Sequence, residues 1–241
     1  MQLKLTPSVN ARYWAAILIA STCGTNLGDL IPKMLGLEVF PGLLMCLVLF
    51  GLLMGVERSL KIGSELFYWV AILVVRAAAT DIADALADKT ALGALGATGL
   101  LAAVMVLLVA AHHRYARGTG VDRMPDVDGM YWLTMLMAGA LGTVGGDYVA
   151  HSLGAHHTGL LPSELIASVV LVAILIARTR LAGAWLYWAA IVTVRWWGTN
   201  MGDFFAHKYS LQGSGAVSFI ALFLLLTMWR GAQPPRMLGN A

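Results

Sequence analysis

Charge is scarce in this chain: only 12% of its 241 residues are Asp, Glu, Lys or Arg. That is too little to cover a water-facing surface, which excludes an ordinary soluble domain. No polar half stands apart from the apolar runs, so residues 1–241 read as a single membrane domain. There are two cysteines, Cys23 and Cys46, with no CxxC spacing. Both lie in apolar runs and read as small buried hydrophobes. No glycine-rich phosphate loop and no Gly-x-Ser-x-Gly elbow occurs, which removes two common nucleotide-binding and hydrolase signatures. The net charge of +3 is explained by topology, and no nucleic-acid partner is expected.

What the chain has in quantity is apolar length. Hydrophobic residues make up 59% of it and the mean hydropathy is +0.76. Runs long enough to span a bilayer predict helices at 12–34, 40–57, 66–87, 94–112, 129–152, 161–177, 185–208 and 214–229. The fold class is therefore all-α integral membrane with eight transmembrane helices and lipid as its surroundings. The first run is too long for a signal-peptide core and is expected to stay as an anchor. Eleven basic residues (Lys4, Arg12, Arg58, Lys61, Arg114, Arg117, Arg123, Arg178, Arg180, Arg230, Arg236) fall between repeats or at the termini. Only Lys33, Lys89 and Lys208 fall at the hairpin tips. The positive-inside rule then places both termini in the cytoplasm, in a multi-pass protein of the bacterial inner membrane.

The spans come in four tandem copies, over 12–61, 66–117, 129–180 and 185–230. Tyr13-Trp14, Tyr68-Trp69, Tyr131-Trp132 and Tyr187-Trp188 each open a copy. Twelve residues after each Tyr stands Thr25, Thr80, Thr143 or Thr199, and four later Asp29, Asp84, Asp147 or Asp203. Such a fixed period marks an internal repeat. Two helices per copy give all four one orientation, so they form a pseudo-fourfold arrangement about the membrane normal. Copies two and four carry Arg76 and Arg195 where copies one and three carry Ser21 and Gly139, so the twofold is the stronger symmetry. The Tyr-Trp pairs are expected as interfacial anchors, and Glu57, Glu65 and Glu164, near helix ends, as interfacial carboxylates.

Carboxylates inside a membrane are costly and usually functional. Thr and Asp at i,i+4 share a helix face. Asn26, Asp81 and Asn200 stand three residues before their copy's Asp and add oxygen donors beside it. The expected ion-binding or proton-coupling set is Asp29, Asp81, Asp84, Asp147, Asp203, Asn26, Asn200, Thr25, Thr80, Thr143 and Thr199. Arg76 and Arg195 are expected as charge partners that hold unloaded carboxylates. Asp147/His151 and Asp203/His207 have an i,i+4 spacing that lets one helix offer two metal ligands. His156 and His157 follow at the third hairpin's tip, and His112 and His113 read as interface residues beside Arg114. Oxygen and imidazole suit borderline or hard divalent cations better than copper(I).

The Tyr-Trp…Gly-Thr-x-x-Gly-Asp copies resemble a bacterial tandem-repeat family of inner-membrane proteins, known as membrane-anchored proteins, of unknown function. The resemblance covers essentially the whole chain and implies its fold class, with no chemistry attached. Asn26-Leu27-Gly28-Asp29 and Asn200-Met201-Gly202-Asp203 are also similar to cation/proton exchangers in their Gly-Asp core, by analogy alone.

These readings lead to a secondary transporter and not an enzyme. It would move a divalent metal cation, manganese or zinc-like, as an antiporter exporting it against protons. The metal is substrate, with no tightly bound cofactor expected, and assembly as a homo-oligomer is compatible with the sequence. A membrane-embedded zinc-dependent hydrolase and a cation or proton channel are the alternatives.

Overall fold

Four helices in this computed structural model are apolar on nearly every side, and four hide a polar stripe. The structure describes residues 5–60, 64–115, 124–154, 157–181, 183–229 and 236–237. Its helices are α1 (Ala11–Leu35), α2 (Val39–Ser59), α3 (Glu65–Asp88), α4 (Gly93–Tyr115), α5 (Gly129–Leu153), α6 (Leu160–Arg180), α7 (Ala184–Tyr209) and α8 (Leu211–Met228). Local chemistry sets several ends. The Asn10 and Asp128 side chains accept the backbone N–H of Tyr13 (3.0 Å) and Tyr131 (2.8 Å), capping α1 and α5. Gly36, at φ +62°, closes α1 in the left-handed conformation that glycine adopts without strain.

The odd helices form an inner ring. Each of α1, α3, α5 and α7 packs on two neighbours, in that cyclic order, and among the described residues none packs on the helix across the ring. The even helices lie outside, and each leans chiefly on the inner helix of the following copy. Thus α2 packs on α3, α4 on α5, α6 on α7, and α8 returns to α1. Each copy therefore interlocks with the next, and the last closes on the first. A two-residue antiparallel ribbon, β1 (Leu5–Thr6) with β2 (Arg236–Met237), joins both ends of the chain at one end of the ring.

Burial follows this layering. More than half of the apolar span is buried in α1 (56%) and α3 (67%), against 17–28% in α2, α4, α6 and α8. The outer helices present Leu44, Leu52, Leu107, Val169, Val217 and Phe223 outward, an apolar belt that only lipid would cover. Six helices, α1, α2, α3, α4, α6 and α8, are each long and apolar enough to cross a membrane. This is an α-helical, multi-pass membrane protein. The two that fall short, α5 and α7, are 25 and 26 residues long. They hold equivalent places in the inner ring, where protein neighbours replace lipid and the stripe can be polar.

Cys23 and Cys46 are buried and unpaired. Glu65 accepts from Arg12 at 2.8 Å in an ion pair. Glu57 and Glu164, expected at the interface, are instead 2% and 5% exposed. Each is covered because an even helix starts or ends against an inner one. His156 and the side chains of His112 and His113 lie outside the described residues.

Candidate functional site

The four copies meet on the ring axis as a stack of layers. At the end that carries the β1–β2 ribbon, the hydroxyls of Tyr13, Tyr68, Tyr131 and Tyr187 form a closed square. The O–O distances around it are 3.1 Å (13–68), 2.7 Å (68–131), 2.9 Å (131–187) and 2.6 Å (187–13). A closed square lets every hydroxyl donate once and accept once, which satisfies four buried polar groups without water. Each tryptophan then packs on the tyrosine of the preceding copy: Trp69 on Tyr13, Trp132 on Tyr68, Trp188 on Tyr131 and Trp14 on Tyr187. This corrects the expectation of interfacial anchors. The tyrosines are almost wholly buried and seal one end of the axis.

Eight residues further along α3 and α7, about 12 Å at 1.5 Å per residue, lie Arg76 and Arg195, both fully buried. Their neighbours make room for them. A Cβ on Gly24 would run into the Arg76 side chain, and one on Gly142 would come 2.6 Å from Arg195 Cβ. Arg195 binds all three other inner helices. Its Nε donates to Thr143 Oγ1 (2.7 Å), Nη1 to the Ser21 carbonyl (3.2 Å) and Nη2 to Thr80 Oγ1 (2.6 Å). Arg76 has no hydrogen-bond partner among the described residues. Both arginines are expected as charge partners of the aspartates, and the structure shows no direct pair between them among the described residues, because the threonine layer lies between.

The threonines come next. Thr25, Thr80 and Thr143 each donate to the carbonyl four residues back (3.2, 3.3 and 3.1 Å). Thr199 donates to Thr143 Oγ1 at 3.3 Å. Beyond them, Asp29, Asp84, Asp147 and Asp203 enter one cavity of about 370 Å³ whose wall also contains all four threonines and Asp81. Lys33 Nζ stands 3.8 Å from Asp29 Oδ2 at the mouth. The C-terminal ends of all four inner helices face this side, so their partial negative charges add to the carboxylates. The arrangement favours a cation.

Two expected ligands point elsewhere. Asn26 Nδ2 donates to Ser214 Oγ of α8, and Asn200 Nδ2 to Ser163 Oγ of α6, each at 2.8 Å. Neither lines the axial cavity. Their position in the motif is the seam with the outer helix, and the other copies use it the same way. Asp81 faces Gly42 of α2, although it also reaches the cavity, and Val144 packs with Ala97 and Leu101 of α4.

The expected metal set, Asp147, His151, Asp203 and His207, borders a second cavity of about 380 Å³ together with His157. As placed, no group of three or more His, Cys, Asp or Glu among the described residues is close enough to hold a metal ion. The tyrosine square and the two Asn–Ser seams go beyond the sequence reading. Their signals are the fixed Tyr position in every copy, and the serines at 163 and 214 near the start of α6 and α8.

The family model described as Repeat of Unknown Function (DUF347) matches residues 67–117 and 130–183. Those two segments are DUF347 repeats. They hold α3–α4 and α5–α6, and with them Asp84 and Asp147. The flanking helix pairs, α1–α2 and α7–α8, carry the same Tyr, Thr and Asp spacing and complete the ring, so the chain is built of four tandem repeats, the middle two of which match this family of unknown function. No curated protein and no solved structure matches the chain.

Proposed function

We propose that the protein is a secondary transporter that exports a divalent metal cation in exchange for protons. It would work in the bacterial inner membrane with both termini in the cytoplasm. The observation that carries this reading is the meeting of four threonines and four aspartates, one pair from each copy, in a single cavity that two buried layers separate from the far end.

The cavity's size bears on how the ion is held. About 370 Å³ is far more than a bare ion fills, and each water takes about 30 Å³. The ion enters with several of its waters, and the carboxylates bind it through them or close on it one at a time. A carboxylate that releases metal takes up a proton in its place, which couples the two fluxes. Asp29, Asp84, Asp147 and Asp203 do this work, with the threonine hydroxyls as neutral donors. The tyrosine square closes the axis on the far side of the cavity in this state.

The test is flux into proteoliposomes across a panel of divalent cations, wild type beside Asp147→Asn and Asp203→Asn. Saturable flux of one cation with counter-movement of protons, lost in both variants while their melting curves stay cooperative, is the expected result. Wild-type protein that moves none of the cations overturns the reading.

A further inference from the structure

The two arginines of the inner ring hold equivalent positions on opposite helices, yet their side chains are placed differently. Arg76 of α3 and Arg195 of α7 each stand four residues before their copy's threonine. Each packs on the glycine that precedes the threonine of the preceding copy, Gly24 or Gly142. Arg195 turns toward the cavity and makes three hydrogen bonds, two of them to the threonine layer. Arg76 is equally buried, but its Nε, Nη1 and Nη2 make no hydrogen bond among the described residues. Its electrostatic neighbours are the four tyrosines of the square, whereas those of Arg195 include Asp147, Asp203 and Asp29. The helical turn between the square and the arginines carries Ile17, Ile72, Met135 and Ile191, all fully buried. These offer a guanidinium no strong acceptor. A buried charge without partners is costly, so the pose of Arg76 is the weaker of the two.

The ring contains a second set of acceptors for the stronger pose. Moving each partner of Arg195 by two copies turns Thr143 into Thr25, the Ser21 carbonyl into that of Gly139, and Thr80 into Thr199. Thr25 and Thr199 are buried in the same layer as their counterparts. Thr25 Oγ1 donates to the Ser21 carbonyl just as Thr143 Oγ1 donates to that of Gly139, and each hydroxyl keeps a lone pair for a guanidinium. A methyl group added at Gly139 would stand 3.9 Å from Arg76 Nη1, so the guanidinium already lies beside one of these residues. Only one arginine can hold its set at a time. Arg195 Nη2 crosses the ring to Thr80, and a bond from Arg76 to Thr199 would cross the same axis in the opposite sense. Two like charges there would repel each other strongly in so dry an interior.

We propose that Arg76 and Arg195 exchange roles. In a second state of the ring Arg76 binds Thr25, the Gly139 carbonyl and Thr199, while Arg195 withdraws toward the tyrosine square. The copies are not identical, with Ser21 in one set and Gly139 in the other, so the two states are unequal in energy. The second is the minor one, on the order of 0.1–10% of the protein. The pair is thus a bistable element on the axis, between the square and the aspartate cavity. The exchange stands without the transport reading; only its use in moving an ion rests on it.

The experiment is reversible unfolding of the full-length protein in mixed micelles. Arg195→Met leaves an apolar side chain suited to the layer below the square, so this variant should fold with Arg76 in the three-bond pose. In that background Thr25→Val should lower the folding equilibrium constant about tenfold more than it does in wild type, because Thr25 has gained a bond to a charged group. The extra cost should vanish when Arg76→Met is added, or Arg76→Gln should the doubly apolar variant fail to fold. That arm separates the exchange from any effect passed through the Ser21 carbonyl, which Thr25 and Arg195 share. An Arg195→Met protein that does not fold overturns the exchange. So does an extra cost at Thr25 that is absent, or that persists without Arg76. Unfolding needs no ion, so this coupling in a protein without flux overturns the transporter alone, and flux without the coupling overturns the exchange alone.

Discussion

Arg195 Nη2 donates to Thr80 Oγ1 at 2.6 Å across the ring, from α7 to the one inner helix on which α7 does not pack. The same guanidinium holds α5 and α1, so one side chain ties the whole inner ring together. A planar fork with several fixed donors can do this; a single ammonium cannot reach all three acceptors. Arg195→Lys should therefore be costly although it keeps the charge. Hydrogen bonds to a charged group contribute about 1.5–3 kcal/mol each, and losing one or two of them should lower stability by about 2–5 kcal/mol. Thr80→Val should lose about 1.5–3 kcal/mol through a single bond. Reversible unfolding in mixed micelles measures both, and an Arg195→Lys protein as stable as wild type would remove Arg195 as the tie.

The tyrosine square makes a second prediction, on leakage. Each hydroxyl in it is shared with two neighbours, so a single Tyr→Phe change leaves two partners half-satisfied and should cost about 1–3 kcal/mol. Changing opposite corners together, Tyr13→Phe with Tyr131→Phe, breaks all four bonds while the rings still fill their space. The double variant should fold and should let protons through faster than wild type in pH-dye-loaded proteoliposomes. A passive leak equal to wild type would mean that the arginine layer seals the axis without the square.

How far the sequence reveals this depends on what each residue's helix phase can say. Thr and Asp at i,i+4 share a face, and the structure does bring all four pairs to one cavity. The tyrosines are hidden by the same geometry. Sixteen residues at 100° each set Tyr13 about 160° away from Asp29, so a one-face reading turns the ring outward. Both ends of the helix nevertheless reach the axis, because the inner helix presents different faces to it at different depths. Asn26 and Asn200 depart from expectation for a related reason. They follow the threonine by one residue, which turns them about 100° onto the seam with the outer helix. Nothing in the sequence says that this outer helix belongs to a neighbouring copy. The arginines stand out in the sequence, and a threonine stands midway between each of them and its copy's aspartate, but helix spacing does not say which neighbouring helices a guanidinium reaches.

The glycines beside the arginines offer a test of close packing. Gly24→Ala and Gly142→Ala would drive a methyl group into Arg76 and Arg195. Overpacking of this kind costs about 1–3 kcal/mol. Gly51 and Gly55 on α2 have nothing within 4 Å of the point where an added methyl group would stand. Replacing either with Ala should be neutral or stabilising by up to about 1 kcal/mol, because helical glycine is the poorer helix former. Thermal melts of the four single variants decide it. Gains at all four positions would show that helix propensity outweighs the fit around the arginines.

The Asn–Ser seams separate assembly from ion handling. Asn26 and Ser214 bond at 2.8 Å between α1 and α8, the contact through which the last helix closes the ring on the first. A double-mutant cycle of Asn26→Ala and Ser214→Ala should give a coupling of about 0.5–1.5 kcal/mol in stability. Because the Asn26 side chain points away from the axial cavity, the folded fraction of Asn26→Ala should retain its cation flux. Asp29→Asn, one turn along the same helix but inside the cavity, should lose flux with little change in stability. Thus two substitutions three residues apart should separate fully: one is read in unfolding, the other in transport. If Asn26→Ala abolished flux at full stability, the asparagine would be a ligand after all, and the cavity would have to rearrange to admit it.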